Sequence, residues 1–244
     1  MQLQGRFHAP VKSRFFPDLR KALIMPLQVI EAQTGEKPVA TILIMHGLGA
    51  DGQDFLPIAE QLDLSSVGPV RFLFPNAPVI PVTINGGMAM PAWYDIVAAD
   101  LGRREDEAGL RQSQADIEVL IAHEVARGMP AKRIVVAGFS QGCAMALMVG
   151  LRHADELAGI VCMSGYLPLA DKTAAERSLA SQQVPVFMGH GTRDGVVPLA
   201  RAAASRDALQ TMGYQIEWHD YPMEHSVCQQ EIIDLQNWLR RVLA

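Results

Sequence analysis

The sequence predicts an α/β domain with a mainly parallel central sheet and helices on both faces. Short apolar runs alternate with helical patterns along nearly the whole chain, the arrangement of repeated strand–helix units. Several of the runs are apolar on consecutive positions rather than on every second one, as expected of strands covered on both faces. No internal repeat and no linker divides the 244 residues, a length suited to one large domain.

Residues 1–24 stand apart as a basic N-terminal extension. Arg6, Lys12, Arg14, Arg20 and Lys21 face a single acid, Asp18, without helical or strand periodicity. The domain proper is expected over 25–244. Its strands are read at Leu27–Glu31, Ala40–Met45, Val70–Phe74, Arg133–Phe139, Gly159–Met163, Val184–Gly189 and Gln215–Asp220. Helices are read at Gly109–Arg127, Gln141–Arg152, Pro198–Met212 and Cys228–Leu243. The first carries Leu110, Ile117, Leu120, Ile121 and Val125 near a 3.6-residue period and stops at Gly128. The last carries Ile232, Leu235, Trp238, Leu239 and Val242 on one stripe. Residues 75–100 break the alternation with Pro75, Pro78, Pro81, Asn85-Gly86-Gly87 and Pro91. A connection this long is usually a lid or a binding loop.

Composition narrows the function classes. Lys plus Arg number 21 against 26 Asp plus Glu, a net charge of −5, which argues against a nucleic-acid partner held by phosphate neutralisation. Three cysteines do not form a disulfide framework and suit a reducing compartment. No run reaches the roughly 18 apolar residues of a membrane span, and no secretory leader is visible. These readings lead to the expectation of a soluble, cytoplasmic protein without integral membrane association.

The strongest chemical signal is Gly138-Phe139-Ser140-Gln141-Gly142, which follows the apolar strand Ile134-Val135-Val136-Ala137 and opens a helix. That is the context of a nucleophile elbow, a sharp turn that lifts a serine hydroxyl out of the fold while flanking glycines let strand and helix approach. A serine needs a base to attack. In proteins with such an elbow the acid and then the histidine follow the serine. Asp194 lies after the strand ending at Gly189, and His225 lies between the last strand and the last helix. Both positions fall beyond strand C-termini, where open α/β sheets place their sites. Asp220 and Glu224 are rival acids; His46, His190 and His219 are rival bases. The tetrahedral intermediate needs fixed N–H donors. The backbone of Gln141 is one, and the glycine-rich segment His46-Gly47-Leu48-Gly49-Ala50-Asp51-Gly52 is placed to give the other from Leu48. No metal-binding motif occurs, and Cys143, Cys162 and Cys228 read as packing residues.

Five stretches together resemble the phospholipase/carboxylesterase family of the α/β-hydrolase fold, the small carboxylesterases and acyl-protein thioesterases. They are HGLGADG at 46–52, FPNAPVIPVTINGGMAMPAWYD at 74–95, GFSQGCAMAL at 138–147, GTRDGVVP at 191–198 and YPMEHSV at 221–227. The 74–95 segment is nearest to the bacterial carboxylesterases, and Gly195 departs from the proline frequent there. The resemblance implies Ser140, Asp194 and His225 as a catalytic triad with Leu48 and Gln141 as oxyanion donors, no cofactor and no large helical cap. It implies a serine carboxylesterase acting on short- to medium-chain esters through an acyl-enzyme, with acyl-protein thioesterase or lysophospholipase as the alternative. It also implies that two copies can pair as a homodimer. The 75–100 segment would then wall the acyl channel, with Ile84, Met88, Trp93 and Val197 supplying apolar surface.

Overall fold

The computed structural model describes residues 27–98 and 105–244; the basic extension expected at 1–24 lies outside the described residues. In chain order the strands are β1 (Val29–Gln33), β2 (Ala40–Met45), β3 (Val70–Pro75), β4 (Val79–Val82), β5 (Met88–Pro91), β6 (Ile134–Phe139), β7 (Gly159–Met163), β8 (Val186–Gly191) and β9 (Ile216–Tyr221). Seven of them form one sheet in the order β1-β3-β2-β6-β7-β8-β9. β1 runs antiparallel to β3, and every other pairing in this sheet is parallel. All seven runs read from the sequence are present, β1 and β8 each displaced by about two residues from their expected bounds.

The described helices are α1 (Leu56–Gln61), α2 (Glu107–Ala126), α3 (Gln141–Gly150), α4 (Ala170–Glu176), α5 (Leu199–Thr211) and α6 (Gln229–Val242). Consecutive residues of the central strands feed two apolar layers. In β6, Ile134 and Val136 join Leu110, Ile117 and Leu120 of α2, Met145 and Met148 of α3, and Leu209 of α5. Val135 and Ala137 join Ala59 of α1 and Ile232, Leu235, Trp238 and Leu239 of α6. This two-sided burial explains why the strands read as continuous apolar runs. α3 is buried at every position, so its Ala, Leu and Met content shows no polar face.

The structure corrects the sequence reading in three places. Val125 is 42% exposed, and the neighbouring Glu124 occupies the buried face of α2 at 1% exposure. Glu124 is admitted there because its carboxylate accepts from Thr41 Oγ1 at 2.7 Å and pairs with Arg71 at 2.6 Å and Arg127 at 2.9 Å. Glu31 of β1 completes the cluster, 2.8 Å from Arg127 and 3.2 Å from Arg71. Second, residues 75–98 are not a plain loop. β4 and β5 pair as an antiparallel hairpin whose tip turns at Gly86 and Gly87, with φ of +68° and +80°. Asp95 pins that tip through Thr83 N–H at 2.7 Å and Thr83 Oγ1 at 2.6 Å. Third, the short helices α1 and α4 were not anticipated. No helix among the described residues is long and apolar enough to cross a membrane.

Candidate active site

Ser140, Asp194 and His225 come together at the C-terminal ends of β6, β8 and β9. Ser140 turns from β6 into α3 with φ 55° and ψ −116°, a left-handed conformation that costs a non-glycine residue about 1–3 kcal/mol. Packing holds it there. A Cβ on Gly138 would lie 2.0 Å from the Gly142 carbonyl oxygen, and one on Gly142 would lie 2.1 Å from that of Met45. Only bare backbone lets strand, turn and helix meet this closely. The Ser140 N–H donates to Met163 O at 2.9 Å, tying the turn to β7.

His225 stands in the loop between β9 and α6, with Nε2 2.8 Å from Ser140 Oγ and Nδ1 2.7 Å from Asp194 Oδ2. Asp194 Oδ1 accepts the backbone N–H groups of Val196 and Val197, each at 2.8 Å. An ionised carboxylate can only accept, so Nδ1 carries the imidazole proton and Nε2 offers its lone pair to the serine hydroxyl. The array can therefore draw the hydroxyl proton onto the ring and hold the resulting imidazolium beside a buried carboxylate. The Asp194 side chain is fully shielded from solvent, while that of His225 keeps 17% exposure. Thr192 N–H to Tyr221 O at 2.8 Å and Arg193 N–H to Met223 O at 3.0 Å bind the acid loop to the histidine loop. Phe139 lies under the ring, centroids 4.8 Å apart.

The rivals are occupied elsewhere. His46 is buried, donates Nδ1–H to Gly47 O at 2.7 Å and accepts Ala77 N–H on Nε2 at 3.0 Å. Burial lowers its pKa and keeps it neutral. His190 donates Nε2–H to Val197 O at 2.8 Å. Burial lowers its pKa too, so its 3.4 Å approach to Asp194 is a dipolar contact rather than an ion pair. His219 faces Glu217 at 3.2 Å, and Asp220 and Glu224 are exposed.

The phospholipase/carboxylesterase family profile matches residues 26–243. The chain belongs to the phospholipase/carboxylesterase family. Membership makes it a carboxylic ester hydrolase of the α/β-hydrolase fold. Acyl-protein thioesterase 1 of Neurospora crassa is 43% identical over 209 residues, covering 82% of this chain and 85% of its own. Acyl-protein thioesterase 1 of Mycosarcoma maydis is 40% identical over 235 residues, covering 90% and 98%. The crystal structure of SOBER1 from Arabidopsis thaliana superposes with a TM-score of 0.80 at 28% identity, covering 84% of this chain and 99% of that one.

In this family member the 46–52 segment lies against the elbow. A Cβ on Gly47 would sit 3.3 Å from Ser140 Cβ, and Asp51 caps the short 3-10 turn Gly52–Phe55 that follows. The backbone N–H groups of Leu48 and Gln141 donate to no group among the described residues, which leaves both available to an oxyanion. The hairpin borders this segment, with Gly49 N–H donating to Pro91 O at 2.8 Å. Of the four residues expected to supply acyl surface, Ile84 and Met88 are 43% and 64% exposed on the hairpin. Trp93 and Val197 are placed differently: both are buried, Trp93 giving its indole N–H to His46 O at 2.8 Å. Trp93 is thereby bonded to the 46–52 segment and Val197, through its N–H, to Asp194, and neither presents open surface. Val79, 66% exposed, lies across the hairpin and was not singled out in the sequence. Cys143 and Cys162 are buried and Cys228 is half-buried.

One ionisable residue near the site gave no sequence signal. Glu231, in the first turn of α6 below the His225 loop, is fully buried, and neither carboxyl oxygen makes a hydrogen bond among the described residues. It fits because Gly189 lacks a side chain: a Cβ there would stand 2.2 Å from Oε1. Burial raises its pKa to about 8, the nearby Cys228 amide offsetting only part of this and Asp234 adding to it. With the folded pKa raised above the ordinary 4.5, the unfolded chain loses this proton first. The contribution to stability is complete below pH 4.5 and is lost progressively toward pH 8, at about 1.4 kcal/mol per unit. Glu231→Gln is expected to flatten that slope, so its melting-temperature advantage over the parent grows from pH 5 to pH 9. Thermal unfolding at both pH values checks this; parallel curves would refute it.

Proposed function

We propose that the chain hydrolyses acyl thioesters and esters through an acyl-enzyme on Ser140, with S-acylated cysteine as the preferred substrate. The observation that carries the acyl-enzyme is the unbroken relay from Ser140 Oγ to His225 at 2.8 Å and from His225 to Asp194 at 2.7 Å. Ser140 attacks the acyl carbonyl, and His225 takes the proton and returns it to the leaving group. Leu48 and Gln141 N–H groups hold the oxyanion, and water then releases the acid. The thioester preference rests on the acyl-protein thioesterases at about 40% identity. It reverses the order suggested by the 74–95 segment, which favours short- to medium-chain carboxylic esters and remains the second reading.

The two are separated by matched substrates: a peptide octanoylated on cysteine, the same peptide octanoylated on serine, and p-nitrophenyl esters from acetate to octanoate. A thiol leaves with a pKa of about 8.5 and depends little on protonation, so the intrinsic difference is corrected against alkaline hydrolysis. The expected result is a kcat/KM on the thioester peptide at least tenfold above the ester after that correction. Equal or reversed values support the carboxylesterase, and no turnover of any member removes the acyl-enzyme reading.

A further inference from the structure

The Gln141 side chain does something its backbone does not. It is 2% exposed, and its amide grips two consecutive backbone groups: Oε1 accepts Trp93 N–H at 2.8 Å and Nε2 donates to Tyr94 O at 2.7 Å. Trp93 N–H can only donate and Tyr94 O can only accept, so the amide has one allowed orientation. Trp93 then reaches back with its indole N–H to His46 O at 2.8 Å, and Gly49 N–H meets Pro91 O at 2.8 Å. His46 accepts Ala77 N–H on the incoming side of the hairpin, and Gly52 N–H meets Asn76 Oδ1 at 2.8 Å. Both stems of the β4–β5 hairpin are thus bonded to the segment that holds Leu48, and the outgoing stem is also bonded to Gln141.

We propose that the Gln141 side chain is a positioning and specificity-determining residue: it couples the apolar hairpin to the oxyanion donors, so that an acyl chain resting on the hairpin is felt in kcat and not only in KM. This deepens the acyl-enzyme reading and rests on it. Displacement of the hairpin would be carried through Trp93 and Gln141 to the N–H groups that meet the developing charge. Those groups stabilise only the transition state, so their alignment acts on kcat. A long acyl chain that rests on the hairpin steadies it and, through the clamp, holds the donors aligned, whereas an acetyl group does not reach the hairpin and draws no such gain through the clamp.

The test compares wild type, Gln141→Met and Trp93→Phe on p-nitrophenyl acetate and octanoate, with kcat and KM separated, thermal unfolding recorded, and Ser140 labelled by a fluorophosphonate. Methionine keeps the length of the side chain and loses both bonds. Wild type is expected to show a higher kcat on octanoate than on acetate. In Gln141→Met the octanoate kcat is expected to fall about tenfold or more and the ratio to collapse toward one. Trp93→Phe, which keeps the Gln141 bonds and removes the His46 bond, is expected to move the ratio the same way by less, and it carries the test if Gln141→Met does not fold. A wild-type ratio of one, an unchanged ratio in the folded variants, or an equal fall on both substrates overturns the proposal. Failure of wild type to label at Ser140 overturns the underlying reading instead.

Discussion

Replacing Ser140 by alanine is expected to lower turnover by about 10⁴–10⁶-fold and to leave the fold intact. The turn that strains this residue is held by backbone packing at Gly138 and Gly142 and by the bond from Ser140 N–H to Met163 O, none of which involves the hydroxyl. Oγ itself meets only His225 among the described residues, and that ring stays anchored on Asp194 after the change. The melting temperature should therefore stay within a few degrees of the parent. The oxyanion donors also survive, so the residual rate should exceed that of buffer. Steady-state kinetics on a p-nitrophenyl ester, unfolding curves and loss of fluorophosphonate labelling check all three points. Near-normal turnover would show that another group attacks.

Asp194→Asn should cost nearly as much, about 10⁴-fold in kcat, for a reason visible in the hydrogen bonds. Asp194 accepts on both oxygens: Val196 and Val197 N–H groups on Oδ1, His225 Nδ1–H on Oδ2. An asparagine has one acceptor oxygen. If it faces the two backbone donors, its NH₂ faces His225 Nδ1 and forces the ring proton onto Nε2, which then points a hydrogen at Ser140 instead of a lone pair. If it faces His225, the NH₂ is driven against two N–H groups inside a solvent-shielded pocket. The first costs catalysis and the second costs stability. kcat measured alongside unfolding shows which occurs; a variant with both near the parent values would contradict the assigned tautomer.

The parts of this molecule legible in the sequence are those where one local rule dominates. Ile134–Ala137 is apolar on four successive positions and followed by two spaced glycines; covering both faces and packing a tight turn leave few other residue choices. Asp194 and His225 stand out by position, since each falls just past a strand end, and the structure sets them 2.7 Å apart. What stayed hidden depends on distant partners. The hairpin at 79–91 carries Pro78, Pro81 and Pro91, which suppress a strand reading, and it is held by Asp95 and by the oxyanion segment. Trp93 and Val197 looked like acyl contacts because they are apolar beside the motifs, yet both are buried. Glu231 occupies a charged position in an amphipathic pattern, and only the bare Cα of Gly189 on another strand explains its burial.

The corner built around Glu124 bears on how such a protein can be altered. Its carboxylate is shared by Thr41 of β2, Arg71 of β3 and Arg127 just past α2, while Glu31 of β1 answers the same two arginines. A chimera that imported α2 alone from a relative lacking this set would take Glu124 from the mostly buried Arg71 and leave it Glu31 as its carboxylate partner, a loss of up to about 3–5 kcal/mol. Exchange at these positions is consequently expected to succeed only when made together, so that the helix and its three neighbouring strands are recombined in the laboratory as one block.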